Sequence, residues 1–420
     1  MTSGPQHYNT TEGRDTGKLE KPMDRRQFMQ TAFQAGTFAA AGMACPGLLR
    51  AQDAETAASL APAPKELWKW SKKAYDFSVV GKDMVICRLC PNRCRIPAEK
   101  RSICGVRVNK GGTLYSLVYG NPASVHVDPV EKKPLYHFHP SSMVFSMGTA
   151  GCNFDCLNCQ NWELSQKKPE ELRNQSISPG QAVLYAKKRK CTSIAYTYNE
   201  PTVAYEFMFD TATQARKNNV KNIYVSNGYI NPKPLERLAN VIDGANIDLK
   251  SFNRQTYRKL NRGRLKPVLE TLQMLKEKNV WLEIVYLIVP RYTDRLNEIT
   301  QMCQWIKKEL GPDVPLHFSR FFPQYKLRKL SPTPPSLLFD ARKIALKEGL
   351  HYVYIGNLRT SVGSNTFCPN CGKAVIKRTG YFITKYHIKD NACAFCKTPV
   401  AGKWSIDKKP QKSSLTDKQE

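Results

Sequence analysis

The 420-residue chain has room for two or three domains of ~100–200 residues each. With 41% hydrophobic and 24% charged residues and a mean hydropathy of −0.48, nothing beyond residues 1–60 approaches the ~20 apolar residues of a spanning helix, which excludes a polytopic membrane protein. The 64 Lys+Arg against 35 Asp+Glu give +29, favouring acidic surfaces, anionic lipid, nucleic acid or negatively charged substrates as partners.

Residues 1–50 have the layout of an export signal. A polar stretch leads into Arg25-Arg26-Gln27-Phe28-Met29, and an almost uncharged, weakly apolar run follows to Leu49. The pattern resembles a twin-arginine signal, whose route moves folded proteins and implies export or a periplasmic location. A disordered basic tail on a cytoplasmic protein is the rival reading. Cys45 offers a lipidation site, although the Leu that a lipobox expects upstream is missing. Residues 51–81 read as a linker, Ala- and Pro-rich in their first part.

From 82 to 140, short apolar runs alternate with Gly, Asn and Pro, as in Gly111 to Val118, and predict a small β-rich module with four cysteines. From 141 to 362, strand-like runs alternate with helical patterns. Strands are predicted at Met143 to Gly148, Ser193 to Thr197, Asn222 to Ser226, Gly244 to Leu249, Trp281 to Val289, Pro315 to Arg320 and Tyr352 to Ile355. Helices are predicted at Pro179 to Lys190, Thr202 to Asn218, Pro267 to Lys278, Leu296 to Leu310 and Ser336 to Glu348. This alternation implies parallel strands with right-handed crossovers, hence an α/β fold that forms a (β/α) barrel or part of one. A second small cysteine module spans 363–404, and a basic polar tail occupies 405–420.

Eleven of the fourteen cysteines fall into three short-spaced groups, a pattern of metal ligation. Cys152, Cys156 and Cys159 form C-x3-C-x2-C directly after the first barrel strand. Iron–sulfur clusters normally take four thiolates and a structural zinc shell also closes with four, so three on one loop leave a coordination position free. A zinc loop completed by His137 or His139 is the bland alternative. Cys87, Cys90, Cys94 and Cys104 form a four-thiolate set suited to zinc or to an auxiliary cluster. Cys368, Cys371, Cys393 and Cys396 form paired C-x2-C knuckles around a β-like stretch, a zinc-ribbon pattern with a structural role by default. Cys191 and Cys303 read as core residues.

The C-x3-C-x2-C loop resembles that of the radical SAM superfamily, although Leu157 and Asn158 stand where an aromatic residue often precedes the third cysteine. That resemblance implies a 4Fe-4S cluster on Cys152, Cys156 and Cys159, with one iron open to the amino and carboxylate groups of S-adenosylmethionine. In a barrel the active site lies at the carboxyl ends of the strands, and polar residues gather there. Tyr198-Asn199-Glu200-Pro201 looks like the superfamily's Gly-Gly-Glu-Pro segment, which implies that Glu200 accepts from the methionine ammonium. The third strand ends in Ser226-Asn227-Gly228-Tyr229, where Asn227 and the flexible Gly228 are expected to approach the ribose or methionine, with Ser226 a further cofactor-binding candidate. Period two puts Asp248 and Lys250 on one side of their strand, for cofactor, substrate or a structural ion pair. His317 is a further candidate, with a satisfied core histidine as its rival.

Longer stretches narrow the resemblance. Cys87-Arg88-Leu89-Cys90-Pro91-Asn92-Arg93-Cys94, Glu131-Lys132-Lys133-Pro134-Leu135-Tyr136-His137-Phe138 and Cys159-Gln160-Asn161-Trp162-Glu163 resemble the radical SAM enzyme of the AmmeMemoRadiSam system, a relative of the pyruvate formate-lyase activating enzymes. The family implies a partial TIM-like barrel of the radical SAM type and reductive cleavage of S-adenosylmethionine to a 5'-deoxyadenosyl radical that abstracts hydrogen from substrate. It also implies a low-potential electron donor, and as partners AMMECR1-like and Memo-like proteins or a glycyl radical protein. A zinc-containing nucleic-acid-binding protein is the alternative, resting on the net charge, on Lys187-Lys188-Arg189-Lys190 and on the basic stretch Arg254 to Lys266. These runs are explained by solvated surface, and an export signal argues against nucleic acid.

Overall fold

Residues 60–404 are described by the computed structural model, so the twin-arginine pattern, Cys45 and the 405–420 tail lie outside the described residues. Strands β1 (Lys72–Lys73), β2 (Phe77–Val80), β3 (Met84–Cys87), β4 (Arg95–Pro97), β5 (Arg107–Lys110) and β6 (Thr113–Ser116) make two three-stranded antiparallel sheets, ordered β2-β3-β4 and β1-β6-β5. Two expectations are corrected here. The second half of the 51–81 linker is structured: β2 pairs with β3, β1 pairs with β6, Ala74 is buried, and the Tyr75 hydroxyl bonds Asp210 at 2.8 Å. Its polar Lys72-Lys73 start hides this because the pairing partner lies more than forty residues away. The 82–140 boundary is also too late, because β7 (Ser124–Pro129) belongs to the large sheet, antiparallel to β8 (Met143–Gly148) in the register Ser124↔Gly148 to Pro129↔Met143.

After β8 come β9 (Ser193–Tyr196), β10 (Lys221–Ser226), β11 (Gly244–Asp248), β12 (Trp281–Ile288), β13 (Leu316–Arg320) and β14 (Val353–Gly356). All seven run parallel, and the eight-stranded sheet runs in the order β14-β13-β12-β11-β10-β9-β8-β7. Both faces are covered, which is why β9 is buried throughout and reads as a continuous run, not an alternating one. The helices are α1 (Trp162–Ser165), α2 (Pro179–Lys188), α3 (Tyr205–Lys217), α4 (Pro232–Ala239), α5 (Arg254–Asn261), α6 (Leu265–Glu277), α7 (Leu296–Leu310), α8 (Pro335–Lys347) and α9 (Ser361–Ser364). Each long one has a physical start or an apolar stripe. Ser178 caps α2 by accepting from the Gln181 N–H at 3.3 Å, and α7 buries Ile299, Met302, Cys303 and Ile306 along one face. Cys191 is buried as well.

Strands β15 (Thr366–Phe367), β16 (Ala374–Thr379), β17 (Phe382–Tyr386), β18 (Ile388–Lys389) and β19 (Ala392–Cys393) form the last small module. It docks where β12 and β14 begin: the His137 ring is 4.5 Å from that of Tyr352 and 5.0 Å from that of Trp404, and the Lys403 N–H donates to the His137 carbonyl at 2.7 Å. No helix among the described residues is long and apolar enough to cross a membrane.

Candidate metal and cofactor site

The three-cysteine loop leaves β8 at its carboxyl end, and its entry is held by one side chain. Asn199, just past β9, accepts from the Thr149 N–H at 3.0 Å and donates through Nδ2 to the carbonyls of Ala150 and Gly151 at 3.2 and 2.9 Å. Gly151 has φ of +85°, and a Cβ there would stand 2.5 Å from the Cys104 carbonyl, so only glycine lets the loop pass the amino-terminal module. Beyond it, Asn153 is buried, donates to the Tyr229 carbonyl at 2.8 Å and accepts from Asn227 Nδ2 at 2.8 Å.

The sulfurs receive N–H donors, as thiolate ligands require. The Phe154 N–H donates to Cys152 Sγ at 3.4 Å, and Asn261 Nδ2 donates to Cys156 Sγ at 3.2 Å. Burial pushes the Cys152 thiol well above its ordinary range, with Glu200 adding to the rise, and pushes Cys156 up to about 11. Cys159 is raised by burial too. Neutral as they stand, these thiols become good donors once a cation replaces their protons, so binding is coupled to proton release. Within the loop, Asp155 pairs with Lys326 Nζ at 2.9 Å and Arg262 Nε at 3.2 Å, and just beyond it Trp162 stacks on Tyr325 at 5.4 Å.

The neighbouring strand ends bring most of the predicted residues to this loop. The buried Glu200 accepts from the Ser226 hydroxyl at 2.8 Å, the Thr202 N–H at 2.9 Å and the Asn227 N–H at 2.8 Å, which ties β9 to β10. Burial raises its pKa, against the pull of these donors. The Thr202 side chain is a further donor to it, so the carboxylate is closely surrounded by donors. Asn227 Nδ2 also lies 3.9 Å from Cys152 Sγ. Lys250 Nζ pairs with Asp248 Oδ2 at 2.6 Å; burial opposes the ammonium, but the Asp248 carboxylate outweighs it and holds the charged form.

Two candidates turn out differently. Asn199 spends its amide on the loop backbone, so it positions the cysteines and has little left for a cofactor. His317 is not brought to the loop: its Nε2 is 2.7 Å from Glu283, and its ring is walled by Tyr136 and Tyr354, both at 4.9 Å. It is a satisfied core histidine. The zinc-loop alternative loses His137, whose Nδ1 and Nε2 bond Ala401 and Tyr354, and His139 lies beside it in the docking seam of the last module, its backbone N–H on the Lys403 carbonyl. Asn153, Asn261 and the Asp155 partners are not signalled by any motif.

The carboxyl-terminal cysteines converge more tightly. Cys368 and Cys396 sulfurs are 3.5 Å apart, those of Cys371 and Cys393 are 3.8 Å apart, and all four lie within 4.8 Å of one another. The edges match a tetrahedron with sulfur at about 2.3 Å from one zinc ion.

Residues 147–305, which include the three-cysteine loop, match the model of the radical SAM superfamily. An uncharacterized protein of Methanocaldococcus jannaschii is 42% identical over 327 residues, 77% of this chain and 97% of that one. The chain belongs to the radical SAM superfamily. A second uncharacterized protein of the same archaeon is 23% identical over 282 residues, covering 64% of this chain and 76% of that one. Among solved structures, a domain of a pyruvate-formate lyase-activating enzyme from Bacteroides vulgatus is 14% identical and covers 39% of this chain and 99% of that chain, with a TM-score of 0.35. Radical SAM membership implies a 4Fe-4S cluster and S-adenosylmethionine, and the donor set fits: one buried and two half-buried thiols, two of them with N–H donors, have a carboxylate and an ammonium nearby.

Proposed function

We propose that Cys152, Cys156 and Cys159 hold the 4Fe-4S cluster of an S-adenosylmethionine-cleaving enzyme that abstracts hydrogen from its substrate. The observation that carries this reading is the three-thiol loop at the end of β8, facing Glu200, Asn227 and the Asp248–Lys250 pair. When bound, the cluster supplies one electron to the sulfonium, whose C5'–S bond breaks to give methionine and a 5'-deoxyadenosyl radical. The chain's own residues orient and neutralise. Glu200 offers its carboxylate to the methionine ammonium, a charge-assisted bond in a buried setting. Lys250 stays an ammonium, suited to a carboxylate, and Asn227 offers its amide beside Cys152. Asn199 and Gly151 fix the loop so that these groups meet one another.

The partners follow from the same reading. The substrate is assigned to a protein partner: a glycine-radical protein, as for the activating enzymes, or the AMMECR1-like and Memo-like companions. The electron donor is a low-potential carrier with an acidic surface, complementary to a net charge of +29. Zinc is assigned to Cys368, Cys371, Cys393 and Cys396 as a staple for a small module. Location outside the cytoplasm rests on the Arg25-Arg26 pattern, and fractionation of cells expressing the full chain tests it.

Anaerobically reconstituted protein, given dithionite and S-adenosylmethionine, is expected to release 5'-deoxyadenosine. Cys156→Ala is expected to lose this activity and about four irons per chain. Full iron content and undiminished cleavage in Cys156→Ala would sink the reading.

A further inference from the structure

The four cysteines of the amino-terminal module are spaced differently from those near the carboxyl terminus. A tetrahedral zinc ion with sulfur at about 2.3 Å sets its thiolates about 3.8 Å apart, as Cys368, Cys371, Cys393 and Cys396 are. Among the described residues, that set is the one group of three or more ligand side chains whose donor atoms all lie within 4.8 Å of one another. No three of Cys87, Cys90, Cys94 and Cys104 meet that spacing. Yet these four line a single cavity, and each lies within electrostatic reach of the others. Sulfurs that converge on one space but stand too far apart for one ion suit a polynuclear centre, in which the thiolates are shared among several irons and sulfide fills the middle.

The local structure prepares these sulfurs as ligands. Cys87 is held against the Cys94 carbonyl by its own N–H at 3.0 Å, which closes the knuckle, and the Arg93 N–H bonds the Cys90 carbonyl at 3.1 Å. Arg93 has φ of +46°, the left-handed residue that lets this loop fold back on itself. Backbone N–H groups of Leu89, Asn92 and Ile103 bond Cys87, Cys90 and Cys94, and the Ser102 hydroxyl lies 3.0 Å from Cys104 Sγ. Such donors stabilise thiolate ligands and set cluster potentials.

The cavity also adjoins the site already described. Asn153 and Thr202 form part of its wall, one next to Cys152 and the other bonded to Glu200. Asn92 Nδ2 donates to the Asn153 carbonyl at 2.8 Å, so a single side chain spans the two cysteine loops. The module is fixed in this position from the other side, where Asn231 N–H bonds the Leu89 carbonyl at 2.9 Å and Arg264 Nη2 bonds that of Pro91 at 2.7 Å.

We propose that Cys87, Cys90, Cys94 and Cys104 bind a second iron–sulfur cluster, closed by four thiolates, against the three-cysteine loop. A closed cluster has no iron open to S-adenosylmethionine, which separates its signature from that of the first site. The test uses full-length protein reconstituted anaerobically with ferrous iron and sulfide, alongside the Cys152→Ala, Cys156→Ala, Cys159→Ala triple variant. The triple variant is expected to keep about four irons for a cubic cluster, or about two for a binuclear one. After dithionite reduction its paramagnetic signal is expected to be unchanged by S-adenosylmethionine.

Native protein provides a second measurement should the variant precipitate. It is expected to contain about one zinc per chain and more iron than a single cluster accounts for. Two zinc ions with about four irons in native protein, or a soluble triple variant free of iron, would overturn the proposal. Native protein that keeps this closed-cluster signal but lacks any signal responsive to S-adenosylmethionine would instead overturn the proposed function and leave the second cluster standing.

Discussion

Asn261 shows how a single amide acts on the site. It is fully buried, donates to Cys156 Sγ at 3.2 Å, and its own carbonyl oxygen has no partner among the described residues. Hydrogen bonds to ligand sulfur stabilise the reduced, more negative cluster more than the oxidised one. Replacing Asn261 with Leu, of similar volume, removes the donor together with the unpaired carbonyl. The expected result is unchanged iron content and a midpoint potential lower by tens of millivolts, since ~1 kcal/mol of lost differential bonding is about 40 mV for one electron. Redox titration of the reconstituted cluster checks it, and an unchanged potential would show that the bond does not discriminate between oxidation states. This residue was illegible in sequence: it lies 105 positions from Cys156 in a basic stretch that reads as solvated surface. The cysteines were legible because their spacing alone encodes one loop. His317 stayed open between cofactor contact and core histidine because Glu283, Tyr136 and Tyr354, which decide its role, come from remote segments.

At the scale of elements, the parallel strands were legible because both-face burial writes short apolar runs between amphipathic helices. Their predicted bounds fall within a residue or so of those observed. Strands whose identity comes from partners, not from pattern, were missed. β1 is two lysines completed by β6, and β7 becomes an edge strand only through β8. Helix α4, absent from the predicted elements, begins with Pro232 and Pro234, and proline suits a first turn. The joint between the β8 loop and the amino-terminal module depends on Gly151, so Gly151→Ala forces a Cβ into the Cys104 carbonyl at φ +85°. The expected cost is about 2–4 kcal/mol, from positive-φ strain plus backbone displacement. Urea unfolding is expected to show a lower midpoint, and iron loading is expected to fall because Cys152 and Cys104 are pushed apart together. Wild-type stability in this variant would mean that the two loops move independently.

At the scale of the whole molecule, the last module is joined to the large-sheet domain through a histidine that works only when neutral. His137 is fully buried between Ala401, whose carbonyl lies 2.6 Å from Nδ1, and the Tyr354 hydroxyl, 2.5 Å from Nε2. Burial lowers its pKa from 6.5 to about 4; Glu283 opposes that fall, while Arg378 and His317 add to it. Around it, Arg378 Nη2 donates to the Tyr136 carbonyl at 2.8 Å, and Glu283 accepts from the N–H groups of Tyr136 and His137, so the seam already holds its charges in fixed positions. Between pH 4 and 6.5 the unfolded chain carries a proton on this residue that the folded chain lacks. Stability therefore rises with pH across that window; it is fully present above pH 6.5 and is lost as the pH falls toward 4. The whole shift is worth up to about 3 kcal/mol. Glu283 is also shifted down: burial opposes its carboxylate, but His317 and the other groups around it favour that form, and its contribution is lost only as pH falls below the ordinary carboxylate range, so the two titrations are separable. Urea midpoints measured from pH 7.5 to 4.5 are expected to fall most steeply below pH 6.5, with residues 363–404 becoming accessible to protease first, because the protonated ring must leave the seam that holds them. A stability flat from pH 6.5 to 5 would mean that His137 finds water or a counter-charge without undocking the module.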